Sequence, residues 1–229
     1  MKSIKSIRDV VVRPENLTEQ VYKIIKRRIT SGELEGGQHL VERVLAAELK
    51  VSKTPVREAL ARLEREGLVV NIPGRGVVVR KLTPQEVEDI LEVREVLEGL
   101  AAEKAAVAIS PQELSELGSI LAEGEEVAKT RDLARYKELD TEFHRIVRNA
   151  SGNQKVAELM GFLEDQIRLV MVTSVTLPGR PQNSLAEHRG ILEALKNRDP
   201  RLAGERAREH VRNVRRAVAQ HWEVTVEAP

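Results

Sequence analysis

Cysteine is absent from the 229 residues, which excludes disulfides and any thiolate metal site. Aromatic side chains are nearly absent as well. Tyr22, Tyr136, Phe143, Phe162 and Trp222 are the whole set, so aliphatic side chains must fill the core. That composition suits packed helices better than a β-sandwich. No apolar run approaches the roughly 18 residues needed to cross a bilayer. The stretch from Met1 to Pro14 also lacks the apolar segment of a signal peptide, and the expectation is a soluble, cytoplasmic protein with no membrane partner. A large net charge is missing too, with 37 Lys/Arg against 36 Asp/Glu. The balance conceals an asymmetry. Residues 1–81 hold 17 basic and 10 acidic side chains, and residues 82–229 hold 20 and 26. A basic part (+7) joined to an acidic part (−6) is expected where only one of them meets a polyanion.

The chain divides into two patterns. Residues 1–15 read as a flexible basic leader. Thr18 to about Ser31 predicts a helix whose apolar stripe is Val21, Ile24, Ile25 and Ile29, with Gly32 as its stop. Val41–Leu49 and Ser52–Glu66 predict two more helices. Pro55 falls in the first turn of the latter, where a missing N–H costs little. Leu68–Val70 and Val77–Val79 are β-prone runs around Asn71-Ile72-Pro73-Gly74-Arg75-Gly76, which reads as a hairpin loop. Three helices and a hairpin make a winged helix-turn-helix, here assigned to 16–82. From Thr83 onward the pattern is helical: about 84–109, 111–129, 131–150, 153–174, 183–197 and 199–222, with a tail at 223–229. The expected fold class is mainly α, a winged helix-turn-helix followed by an all-α bundle over 83–222.

In the first part, Leu45, Leu49, Val51, Val56, Leu60 and Leu63 form one packed face. Ser52, Lys53, Thr54 and Arg57 are then left near the exposed start of the second helix of the pair, where a recognition helix reaches base edges and phosphates in the major groove. Arg can read guanine with two hydrogen bonds, and hydroxyls suit phosphates. Arg75, between Gly74 and Gly76, is placed to follow the adjacent minor groove.

In the second part, three of the five histidines fall on apolar stripes of different helices. Asp140 and His144 lie one turn apart among Tyr136, Phe143 and Val147; His188 lies with Leu185, Leu192 and Leu195; His210 lies with Ala203, Ala207 and Val214. An inward carboxylate or imidazole is costly unless it is paired or bound to metal. One Asp and three His would satisfy one another around a divalent cation, and imidazole with carboxylate suits Zn, Ni, Co, Mn or Fe. Such a site keeps net positive charge, so a metabolite carboxylate could complete it. Each histidine could equally be a hydrogen-bonded core residue, and the residues by themselves leave both readings open. Arg94 lies on the inward stripe Val87, Ile90, Leu91, Leu97, Ala101, with Glu98 one turn on. It either grips an effector carboxylate or forms an ion pair with Glu98. Arg145, Arg148, Asn149 and Arg168 read as surface or supporting residues, His39 and His221 as non-ligands, and Trp222 as packing.

The run "VSKTPVREALARLEREGLV…PGRGVVV" resembles the signature of the GntR family of bacterial transcription regulators over about 17–82. The resemblance implies a double-stranded DNA partner with a pseudo-palindromic operator, and contacts from Arg43, Ser52, Lys53, Thr54, Arg57 and Arg75. Two departures are visible. Lys53 stands where the family usually has Arg, which weakens bidentate guanine reading there. Lys50 stands where Gly is common, so the turn requires a residue at positive φ. Residues 84–222 are similar to the FCD effector domain of FadR-type members, in the VanR-like six-helix subgroup, through "LDTEFHRIV", "EHRGILEAL" and "AREHV". That resemblance implies a divalent metal, zinc foremost, on Asp140, His144, His188 and His210, a small carboxylate effector and a homodimer. The expected function is a non-enzymatic regulator, a repressor relieved by ligand. Three rivals are a metalloregulator that senses the ion itself, a metal-dependent hydrolase and a regulator whose metal is purely structural; the hydrolase lacks a further inward carboxylate to act as base.

Overall fold

The computed structural model describes residues 17–226, with side chains as far as His221. The expected leader and the side chain of Trp222 lie outside the described residues.

Helix α1 (Leu17–Ser31) buries Val21, Tyr22, Ile25 and Ile29 and stops at Gly32, whose φ of +86° a side chain resists. α2 (Glu42–Glu48) and α3 (Lys53–Arg65) are joined by a tight turn in which Lys50 sits at φ +56°. This is the strained position expected where glycine is usual. Strands β1 (Val69–Ile72) and β2 (Gly76–Val79) pair antiparallel, Val69 opposite Val79 and Ile72 opposite Gly76. The hairpin is tighter than expected: Asn71, Ile72 and Gly76 join the ladder, leaving Pro73-Gly74-Arg75 as the tip, closed by Arg75 N–H to the Ile72 carbonyl at 2.9 Å. His39 extends the ladder by bridging to Val78. Ile25, Ile29, Leu45, Val56, Leu60, Leu63, Leu68 and Val79 close one hydrophobic core.

Six helices follow: α4 (Pro84–Ala108), α5 (Pro111–Thr130), α6 (Leu133–Ala150), α7 (Gln154–Ser174), α8 (Arg180–Lys196) and α9 (Pro200–Val226). Their starts are written locally. Thr83 with Glu86, and Ser110 with Glu113, form reciprocal capping boxes ahead of α4 and α5, each with Pro in the first turn. Asp132 and Asn153 cap α6 and α7. Two boundaries differ from expectation. α8 begins at Arg180 rather than near 183, because Pro181 is accommodated in its first turn after Gly179 turns the chain at φ +72°. α9 runs past 222 to Val226.

α4 lies centrally, against α6, α7, α8 and α9, and α5 packs on α6 and α8. A second core forms around Ala102, Ala105, Leu117, Phe143, Ile191, Leu195 and Ala203. α7 touches both parts of the molecule. Its Leu169 packs on the first core, and its Asp165 accepts from Lys26 Nζ of α1 at 2.6 Å. No helix among the described residues is long and apolar enough to cross a membrane.

Candidate functional site

The inward stripes of α6, α8 and α9 converge. His144, His188 and His210 each offer one ring nitrogen within 4.8 Å of the others, and all three residues are buried. His188 Nε2 and His210 Nε2 are 3.3 Å apart. This matches the separation of two imidazoles that share one ion at about 2.1 Å each, on the order of 3 Å. Asp140 stands at the edge of the cluster: its two oxygens lie 3.8 Å from His144 Nε2 and 3.8 Å from His188 Nε2.

The opposite ring nitrogens are held by carboxylates. His144 Nδ1 lies 2.6 Å from Glu98 Oε2, and His210 Nδ1 lies 2.7 Å from Glu187 Oε2. Each carboxylate accepts the Nδ1 proton, which leaves the Nε2 lone pairs facing the common point. The Phe143 ring stacks on His188, with centroids 4.4 Å apart and planes 13° apart, and fixes that ring's orientation.

Charge follows from this packing. Burial, then the neighbouring imidazoles, hold His188 well below its ordinary range. Burial also lowers His210, against the opposing pull of Glu187. Both are therefore neutral near pH 7, the ligating form of imidazole. Burial would push the Glu98 carboxyl up, but Arg94 and His144 outweigh it and hold it well below the usual range. Glu187 is likewise lowered to about 2, burial being overcome by His210 and Arg180. Three imidazole nitrogens aimed at one point, with the His144 and His210 rings backed by carboxylates, are a donor set that fits a divalent cation.

Arg94 serves both of its expected partners' sides. Its Nε donates to Glu98 Oε1 at 2.7 Å, and its Nη2 lies 3.1 Å from His144 Nε2. The ion pair with Glu98 is therefore present, and the rest of the guanidinium points at the histidine cluster. Glu187 was not anticipated. It sits one position before His188, off the apolar stripe, and also binds Asn213 Nδ2 at 2.9 Å and the Arg180 guanidinium. It is a further carboxylate beside the cluster, but it is committed to His210, Arg180 and Asn213 and so is not placed as a base. His39 and His221 lie away from the cluster, on the surface.

At the other end of the molecule, Arg43, Ser52, Lys53, Thr54, Arg57 and Arg75 are all exposed. Ser52 opens α3 without using its side chain as a cap, and the first turn of α3 holds no acidic residue. Its hydroxyl and the positive helix end thus face solvent together, an arrangement suited to a phosphate. Arg57 is tied to Glu42 by Nε and Nη2, both at 3.0 Å.

Residues 17–79 match the family of bacterial regulatory proteins called gntR, and residues 89–213 match the FCD domain. The transcriptional regulator YdhC of Bacillus subtilis is 30% identical over 84% of both chains. The chain belongs to the GntR family. The transcriptional repressor RspR of Escherichia coli K12 is 26% identical, covering 89% of this chain and 90% of RspR. The solved structure of E. coli McbR/YncC shares the fold, with a TM-score of 0.78 at 23% identity, over 91% of this chain and all of that one. As a GntR-family transcription regulator with an FCD domain, this chain has its DNA-reading fold in residues 17–79 and the histidine cluster in the FCD helices.

Proposed function

We propose that this GntR regulator is a DNA-binding repressor relieved by a small carboxylate metabolite held beside a divalent metal in its helical domain. Residues 16–82 read DNA and residues 83–222 sense and dimerise. Arg43, Ser52, Lys53, Thr54, Arg57 and Arg75 make the DNA contacts. His144, His188 and His210 hold the ion, zinc foremost, with Asp140 closing the set, and Arg94 takes the carboxylate. When bound, the ion supplies positive charge for an incoming carboxylate. Two copies place two recognition helices on the half-sites of a pseudo-palindromic operator. The ligand must favour one dimer arrangement over the other, since an indifferent ligand shifts nothing.

One observation carries the reading: three buried imidazoles converge, with a buried guanidinium beside them, in a chain that also carries a DNA-binding fold. The test is metal content and operator binding of the purified protein, before and after chelation, with the double variant H188A/H210A as control. One ion per chain in the wild type, none in the variant, and operator affinity that responds to small acids only when metal is present are expected. Equal metal content in both proteins would overturn the site. Operator affinity that follows the ion alone would make the ion the signal.

A further inference from the structure

Arg180 stands between two spaces. On its inner side is a cavity of about 20 Å³, which it lines with Arg94, Tyr136, Asp140 and His210. On its outer side is a polar cleft of about 520 Å³ between the start of α8 and the end of α9, lined by Asn183, Glu187, Asn213 and Arg216. Its guanidinium is buried, with the residue only 6% exposed. Nη1 and Nη2 bind Glu187, and Nη2 also donates to Ser184 Oγ at 2.8 Å. Nε has no hydrogen-bond partner among the described residues. A buried N–H without an acceptor loses its hydration and gains nothing in return, so such donors are kept where something else satisfies them.

Two buried guanidiniums thus line the same inner cavity, and one of them has a donor to spare. A monocarboxylate at Arg94 and the histidines would leave the Arg180 Nε without an acceptor. We propose that Arg180 determines specificity by taking a second carboxylate, so that the regulator's ligand is a short dicarboxylate spanning from the histidine cluster to the mouth of the outer cleft. This rests on the carboxylate reading above. The inner cavity alone is too small for a whole diacid, and Arg180 is the residue that lines both spaces, which places the far end at its guanidinium. Among the described residues no side chain caps the first turn of α8, which adds the positive end of that helix at the same place. Glu187 connects this end to the metal side. It shares Arg180 with the ligand while accepting from His210 Nδ1, so occupancy of the cleft is felt at a histidine of the cluster.

The test is calorimetric titration of the zinc-loaded, full-length protein with straight-chain dicarboxylates of two to six carbons and with monocarboxylates of matching length. The wild type should bind at least one diacid about tenfold or more tighter than its matched monoacid, as a second charge-assisted contact implies. R180Q should lose that advantage, keep its zinc stoichiometry and bind the monoacids about as the wild type does. If R180Q does not fold, R180K takes its place. It keeps the charge but not the planar fork, and its diacid advantage should fall at least about threefold. A diacid preference untouched by either variant overturns the inference. So does a wild type that binds monoacids and diacids alike, which leaves the carboxylate reading standing. A wild type that binds no acid of either kind overturns both.

Discussion

Replacing Glu187 by Gln keeps the shape of the side chain and removes its charge. In the native protein this carboxylate faces Arg180, His210 and Asn213. The Arg180 side chain is only 7% exposed and that of Glu187 only 18%. Removing one partner of a buried pair leaves an uncompensated charge and costs about 3–5 kcal/mol. The partial exposure of Glu187 and the amide left in its place favour the lower end, about 3 kcal/mol. At roughly 2–4 °C per kcal/mol for a chain of this size, Tm should fall by about 6–12 °C. Metal affinity should fall too, by about 10–100-fold, because the His210 ring loses the anion that holds its Nδ1 proton. Melting curves of metal-free E187Q and wild type give the first number, and competition against a chromophoric chelator gives the second. R180Q/E187Q should be less destabilised than the sum of its parts, since the stranded charge is gone. A metal-free Tm within about 2 °C of wild type, with unchanged metal affinity, would refute the reasoning.

Three further outcomes are expected. Arg57→Ala should weaken specific operator binding by about 1–3 kcal/mol in fluorescence anisotropy, whereas Glu42→Gln, which frees Arg57 from its partner, should bind at least as tightly; an R57A protein with undiminished operator preference would remove Arg57 from the contact set. Phe143→Ala opens the fully buried core beneath His188 and should cost about 3–5 kcal/mol in urea denaturation; a loss under about 1 kcal/mol would mean the ring does not pack as described. Glu86 in the capping box is lowered to about 2 by the Thr83 backbone N–H and then by Arg80. Its folded value lies below its unfolded one, so its stabilisation is present above about pH 4.5 and lost as pH falls toward 2. Glu86→Gln should therefore be less stable than wild type at pH 7, with the gap closing on that acid limb; a gap independent of pH would be evidence against the cap.

The winged helix-turn-helix was legible because its signals are local. Gly32 and Gly67 end helices, Pro55 fits a first turn, and the Lys50 turn needs positive φ. The capping boxes at Thr83 and Ser110 mark helix starts with equal clarity. The inward positions of Arg94, Asp140, His144, His188 and His210 followed from helical periodicity, and all five are buried. Arg180 and Glu187 were not legible. The stretch Leu177-Pro178-Gly179-Arg180-Pro181 reads as a break, although Pro is permitted in a first helical turn, and that was the available clue. Glu187 lies off the apolar stripe of α8, where a glutamate reads as solvated surface.

The order of residues alone determined the helices, the wing and the side of each helix that turns inward, because these depend on spacing and on neighbours a few positions away. Only the tertiary structure decided that α9 lies beside α8 with His210 and Asn213 against Glu187, and that Arg180 lines two spaces at once. Distances between side chains on different helices depend on how those helices cross. No periodicity within one helix contains that information.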